Sequence, residues 1–480
     1  MIMNQDIIIR SSFELPVAEA DNQAIHAMEA AAKEAKRKHK DERQRIHLIL
    51  RNQHLADVLK RTPLSDELAQ HVELYAYTCE DLWSMQMIGV QPGSATRLDR
   101  KPIGADSRQH VHLVIFGISA QACSLAVHTA LIAHYPNYCA DHSLRTRITM
   151  VSDGAEDFRG FQQHYRHLLM HSYRRTVDAE GKDVACETML PKYQGERDDF
   201  VDIEWEFVQG HSDDKNLQYK LQKWAQDEGQ QLTVAFCYKQ DERNLNEALG
   251  LPTEMHNTPV WVHVEDDVAI RLIRQSGQWD HLIAFGMRSS ALPDMRRFIR
   301  MAQCVSYAYH QMRTTSAEEQ AQGMNTMAVA TEIPTAEELV KIWNEKPIVT
   351  SKLWSNIYCA FSLTTKMHSL GHDDADWRTL FAIGEKEVRM MAEVEHNRWN
   401  VEELVLGYRP TTDEEHEQIR QDISLRSVFK QQWAHDDLRS FREIGNDETG
   451  QNVFRYDIAL TRSLPLIAYM YHCLKDEGNE

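Results

Sequence analysis

The chain of 480 residues contains no Cys-x-x-Cys pair, and its eight cysteines (Cys79, Cys123, Cys139, Cys186, Cys237, Cys304, Cys359 and Cys473) are scattered. That spacing gives neither a thiolate metal cluster nor a disulfide framework, and it fits a reducing compartment. Positive charge is in deficit: 53 Lys and Arg stand against 72 Asp and Glu, for a formal net charge of -19. Such a field excludes general binding to nucleic acid or to an anionic membrane surface, which needs a basic face to neutralise phosphates. A local basic patch remains around Arg166 to Arg175. The stretch Leu113 to Ala133 has 21 residues without formal charge, but Gly117, Ser119, Gln121 and Ser124 interrupt it. It divides into a strand-like and a helix-like piece, so no membrane span is expected. The opening Met1-Ile-Met-Asn-Gln-Asp6 is too short and too acidic for a signal peptide, so a cytoplasmic location is expected. Gly-x-x-x-x-Gly-Lys-Ser/Thr, Gly-x-Ser-x-Gly and His-Glu-x-x-His are all missing. No catalytic set emerges.

What is present is an ordinary balance of 42% apolar and 26% charged residues over a length that accommodates two to four domains. Residues Asp21 to Lys60 are Ala-rich, dense in Lys, Glu and Arg, and without Gly or Pro, a pattern of one or two charged helices. Ser65-Asp-Glu-Leu68 resembles a capped helix start that would run on to Leu82-Trp83. Residues 1–107 are therefore expected to form a helical region, a packing or homo-oligomerisation arm. After a Pro and Gly break from Val90 to Gly104 the pattern changes. Strand-like runs at Val111–Phe116, Arg147–Asp153, Asp202–Val208, Leu232–Tyr238, Pro259–Val264 and His281–Phe285 alternate with helix-compatible stretches. Six such strands predict an α/β fold, a Rossmann-like, doubly wound, mostly parallel sheet over residues 108–298. A helical connector is expected over 299–334, polar from Thr314 to Pro334, and a mainly α-helical domain over 335–480 with a minimal core from Lys386.

Gly117-Ile-Ser119-Ala-Gln-Ala122 occupies the place of Gly-x-Gly-x-x-Gly after the first of these strands. There the first glycine makes the turn, the second lets the backbone approach a pyrophosphate, and the third permits close helix packing. Ser119 and Ala122 are small enough to keep that use open, and helix N-terminal amides attract phosphate. Asp153 closes the second strand where a dinucleotide-binding domain places its ribose-binding carboxylate. It stands 36 residues after Gly117, and the Tyr135 to Arg145 insertion accommodates the excess. Asp241-Glu-Arg-Asn244, after the fourth strand, is similar to the Asp-x-x-Asn turn of TrkA-N domains, the NAD-binding regulatory domains of potassium transport systems. That resemblance covers this domain alone and implies NAD or a related adenine nucleotide as ligand, with Gly117, Ser119, Ala122, Asp153, Asp241 and Asn244 around it. Glu265-Asp266-Asp267, at the end of the fifth strand, suits the start of the next helix better than a ligand site. His164, His167 and His171 could share one helix face, but the neighbouring Arg166, Arg174 and Arg175 repel a cation, and no metal is expected.

Towards the C-terminus, Met391-Ala-Glu-Val-Glu-His-Asn-Arg-Trp-Asn-Val-Glu-Glu-Leu-Val-Leu-Gly-Tyr-Arg-Pro410 places Ala392, His396, Trp399 and Glu403 on one quarter of a helix, with Gly407 as its stop. An imidazole, an indole and a carboxylate on one face suit either a docking surface or a structural lock. This block, with Trp354-Ser-Asn-Ile-Tyr358 and Lys366 before it and His435-Asp436-Asp437-Leu438, Arg455-Tyr456-Asp457 and Leu464-Pro465 after it, resembles the RyR domain, the helical module repeated in ryanodine receptors and found singly in bacterial proteins. The chain departs from that pattern in Arg409-Pro410 and the acidic insertion Thr411 to Arg420. The resemblance implies a second ligand-sensing or docking surface at His396, Trp399, Glu403 and Tyr408, an unidentified protein partner, and an association with nucleotide-centred signalling and phage defence. The combined expectation is a cytoplasmic nucleotide-sensing regulator. An NAD-linked oxidoreductase or nucleotide hydrolase, and a structural assembly protein with a degenerate nucleotide cleft, stand as the alternatives.

Overall fold

A computed structural model describes residues 6–38, 43–88, 96–184, 200–287, 295–314, 333–345, 349–373 and 376–474. Most of the connector expected at Thr314 to Pro334, part of the Val90 to Gly104 break, and Cys186 lie outside the described residues.

The N-terminal region is not the all-helical arm that its composition suggests. β1 (Ile7–Arg10), β2 (Gln44–Leu50) and β3 (Val72–Thr78) form a parallel sheet in that order, linked by helices Val17–Arg37, Gln53–Arg61 and Asp66–Ala69. The Ala-rich run does form the first helix. Beyond it, the Ile46, Leu48 and Leu50 side chains join a small core with Val72, Leu74, Ala24 and Ala56. The seven residues Gln-Arg-Ile-His-Leu-Ile-Leu50 follow no clean alternation and are too short to stand out in a charged window, and pairing supplies the stabilisation that local preference lacks. Ser65 does cap a helix, by accepting from the Leu68 amide, but that helix is one turn long. The chain then enters β3, and Thr78 and Asp81 form a capping box that starts helix Cys79–Met87.

A larger sheet of seven parallel strands follows: β4 (His110–Phe116), β5 (Thr146–Ser152), β6 (Tyr173–Asp178), β7 (Ile203–Gln209), β8 (Gln230–Phe236), β9 (Val260–His263) and β10 (Leu282–Phe285). Their spatial order is β10-β9-β8-β4-β5-β7-β6. The chain starts at β4, moves outward through β5, then returns to β8 on the other side and moves outward again. The six expected strands are all present, and the fold is α/β with a doubly wound parallel sheet. The seventh, β6, escaped the hydrophobic pattern because Tyr-Arg-Arg-Thr-Val-Asp is an edge strand with one buried residue, Val177.

Strand residues are apolar in both registers because both faces are covered. Leu113, Ile115, Ile148, Met150, Trp205, Phe207 and Trp261 point to one core. Val114, Phe116, Val151, Val208, Val234, Phe236, Val260 and Val262 point to the other, beneath the crossover helices Lys215–Gln226, Asp241–Leu249 and Val268–Arg274. On the first face, helix Ala120–Ile132 is joined by Cys79–Met87 and by the C-terminal helices Met295–Thr314 and Thr350–Ser369. The small sheet is therefore fastened to the large one through shared core. At the joint, Lys60 reaches Asp57 and Asp81 at 3.0 Å each, and Asp57 also meets His164 at 3.0 Å. No helix among the described residues is long and apolar enough to cross a membrane.

Candidate functional site

In an open parallel sheet, ligands sit beyond the carboxyl ends of the strands where the winding direction reverses. Here that point lies between β4 and β8. Gly117 follows β4 with a φ of 92°, and an added Cβ would stand 2.8 Å from the Tyr238 amide nitrogen. The turn requires glycine on both counts. Ser119 then caps helix Ala120–Ile132, its Oγ accepting from the Ala122 amide at 3.2 Å. Ser119 and Ala122 are buried, so the loop meets solvent mainly at Ala120.

Asp153 emerges after β5, with a side chain 40% exposed. Arg243, on the helix that follows β8, donates to both its oxygens, at 3.1 and 3.0 Å. His211, just beyond β7, brings Nδ1 to 3.0 Å from the same carboxylate. Because β5 and β8 flank β4, this pair bridges across the carboxyl end of β4. The Arg243 hydrogen bonds hold the Asp153 carboxyl below the usual carboxylate range. The guanidinium also lies 3.6 Å from the centre of the Tyr238 ring, and it pairs with Glu247. Burial pushes the Tyr238 phenol well above its ordinary value. The edge thus gathers a carboxylate, a guanidinium, an imidazole and a protonated phenol, groups suited to hydrogen-bonding a ribose, pairing a phosphate and stacking.

The other two expected contacts have different places. Asn244 is fully buried: Oδ1 accepts from the Tyr238 amide at 2.6 Å, and Nδ2 donates to the carbonyls of Tyr238 and His263 at 3.0 and 2.9 Å. Asp241 accepts from the Glu265 amide. Both residues tie the end of β8 to the end of β9, and neither reaches Asp153. Arg243 and His211 were missed by sequence reasoning. Arg243 stands inside the Asp241 to Asn244 turn and could have been found as the one basic side chain there; His211 had no local signal.

The second candidate is the C-terminal helix Glu385–Val405. It ends as expected: Gly407 adopts a φ of 92°, and the amides of Gly407 and Tyr408 bond back to Leu404 and Glu403 in a Schellman arrangement. His396, however, is fully buried and cannot serve as part of an exposed surface. Its Nε2 donates to the Arg439 carbonyl at 2.8 Å, so Nδ1 and Asp457 Oδ2, 3.0 Å apart, share one proton. Burial raises the Asp457 carboxyl to about 6. Lys366, Glu395, Arg398 and Glu402 form a buried ionic chain alongside. Trp399 is partly buried against the rings of His396 and His435, with centroids 5.6 and 5.0 Å away. Tyr408 meets Trp433 at 5.0 Å, and Arg61 of the N-terminal unit lies over Trp433 at 4.5 Å. Glu403 is buried with Oε2 unpaired, and burial lifts its carboxyl to about 7. The insertion after Pro410 forms a capped helix, Asp413–Gln421.

The three histidines of the basic patch are not on one helix, because the chain breaks at Tyr165 between Arg159–His164 and Arg166–Met170. Among the described residues no group of three or more His, Cys, Asp or Glu stands close enough to hold a metal. Asp266 accepts from the Val268 amide at 2.8 Å, the helix-start role expected of that acidic run. The fold and this edge define an α/β protein with a doubly wound parallel sheet. No protein family, curated protein or solved structure matches the chain.

Proposed function

We propose that the protein is a nucleotide-sensing regulator whose ligand, NAD or a related adenine nucleotide, occupies the edge between β4 and β8. The Asp153–Arg243 pair supports this most directly, because it brings a ribose-type acceptor and a phosphate-type donor together at the reversal point of the sheet. In this proposal the ligand parts the pair. Asp153 accepts from ribose hydroxyls, Arg243 takes a phosphate, and the amides at the start of helix Ala120–Ile132 assist. The pair is half in solvent and worth at most about 1 kcal/mol, so a ligand that makes charge-assisted bonds to both partners displaces it at small cost. The resemblance of Asp241 to Asn244 to TrkA-N turns supports a regulatory rather than a catalytic use. The RyR-like C-terminal unit would supply a docking function through Tyr408, Trp433 and Trp399, in cytoplasmic signalling or phage defence.

Native mass spectrometry of freshly purified full-length protein, with thermal-shift titration of NAD, ADP-ribose and ATP, tests the proposal. A bound nucleotide, or stabilisation that Asp153→Ala and Arg243→Ala each weaken by about 10-fold or more, is the expected result. If no nucleotide stabilises the wild type, or the two variants bind as it does, the proposal fails. Turnover of added NAD would favour the enzyme alternative.

A further inference from the structure

The small N-terminal sheet has its own carboxyl edge, and a cleft of about 220 Å³ opens there. Its lining comes from the ends of all three strands: Arg10 at the end of β1, Ile49 to Arg51 at the end of β2, and Cys79 and Glu80 after β3. Phe13 and Val17, the latter the first residue of the 21-residue helix, complete it. Both guanidiniums stand against the Phe13 ring, Arg10 at 4.7 Å and Arg51 at 5.2 Å from its centre. Among the described residues neither arginine forms an ion pair within 4.0 Å. Arg10 stands beside the Cys79 thiol and Arg51 within charge range of Glu80, so two cationic heads face one carboxylate in a chain with an excess of 19 negative charges.

The cleft is also firmly built. Asp21, buried at 2%, accepts from Ser11 Oγ at 2.6 Å and from the amides of Arg51 and Asn52 at 3.0 Å each, which locks the turns after β1 and β2 together. Arg51 Nη1 donates to the carbonyls of Ser12 and Leu15, at 3.1 and 2.7 Å, which aims the guanidinium and leaves its other donors for a ligand. The long helix begins at Pro16 without a side-chain cap, so its first amides add positive potential on the same side. Glu80 is the one acid in the lining; burial raises its carboxyl, and the Arg51 charge works against that rise.

We infer that this cleft is a binding site for a small phosphorylated molecule of mononucleotide size, the phosphate held between Arg10 and Arg51 and the apolar part against Phe13, Val17 and Ile49. It is separate from the edge between β4 and β8: Asp153 and Arg243 do not line it. Isothermal titration of the full-length protein with inorganic phosphate, AMP and ADP tests the assignment. Arg10→Gln is the informative variant, because this exposed side chain supports none of the turn hydrogen bonds. In the Asp153→Ala background, which disables the large-sheet edge, AMP is expected still to bind, and to bind about 10-fold more weakly or worse once Arg10→Gln is added. Weakening of phosphate and AMP together would assign the phosphate to Arg10. Equal binding with and without Arg10→Gln in that background, complete loss of AMP binding through Asp153→Ala alone, or no heat with any of the three ligands at millimolar concentration would overturn the inference. Binding of NAD that needs Asp153 but not Arg10 leaves the large-sheet proposal standing on its own.

Discussion

Replacing Lys60 with Met tests the joint between the two sheets. The Lys60 side chain is 3% exposed and its ammonium lies 3.0 Å from both Asp57 and Asp81, with the Trp354 ring 5.1 Å away. Burial alone would raise both carboxyls; the Lys60 charge, joined by His164 at Asp57 and His128 at Asp81, outweighs it and holds both below their ordinary range. Methionine retains most of the volume and removes the charge. Asp57 keeps Gln53, Tyr165 and His164, and Asp81 keeps the Thr78 amide and Ser124, so neither loses all its donors. What remains is two buried carboxylates without their shared cation, a loss of about 3–5 kcal/mol. Combining Lys60→Met with Asp57→Asn and Asp81→Asn removes the stranded charge, and most of the loss should be recovered. The sign with pH follows from the lowered carboxyl values. In the wild type the stabilisation is present above the unfolded value of 3.8 and is lost as pH falls through the lower folded values. The penalty of Lys60→Met should therefore be largest near neutrality and shrink on acidification. Urea unfolding followed by circular dichroism and tryptophan fluorescence at several pH values measures this. A loss under about 1 kcal/mol near neutral pH, or a triple variant no more stable than the single one, would refute the reasoning.

Asn244→Ala removes three hydrogen bonds to buried backbone at Tyr238 and His263 and should cost about 2–4 kcal/mol, read from the urea midpoint; a change within 0.5 kcal/mol would place those backbone groups in contact with water. Glu403 has a folded value of about 7 against 4.5 unfolded, so the native state holds its proton longer and stability falls as pH rises between these values. Glu403→Gln removes that fall: the variant should match the wild type near pH 4 and exceed it near pH 8 by up to about 3 kcal/mol, and a difference independent of pH would contradict the burial argument.

Much of the large sheet was legible in the chain, because strands covered on both faces write themselves as short apolar runs, such as His-Leu-Val-Ile-Phe116. The turn at Gly117, the cap at Ser119 and the helix stop at Gly407 were legible for a similar reason: each is decided by the conformational freedom or hydrogen bonding of one residue and its immediate neighbours. Tertiary structure decided the rest. β2 lies in a charged stretch and β6 at an edge, and both depend on a partner strand for their stability. Spacing could place His396 on a helix face, yet only packing determined that this face turns inward onto Asp457 and Arg439. The meeting of Asp153, His211 and Arg243, and of Arg10 with Arg51, joins residues far apart in sequence through strand order. Local preference specifies single turns and runs; which charges share an edge is set by the way the strands line up.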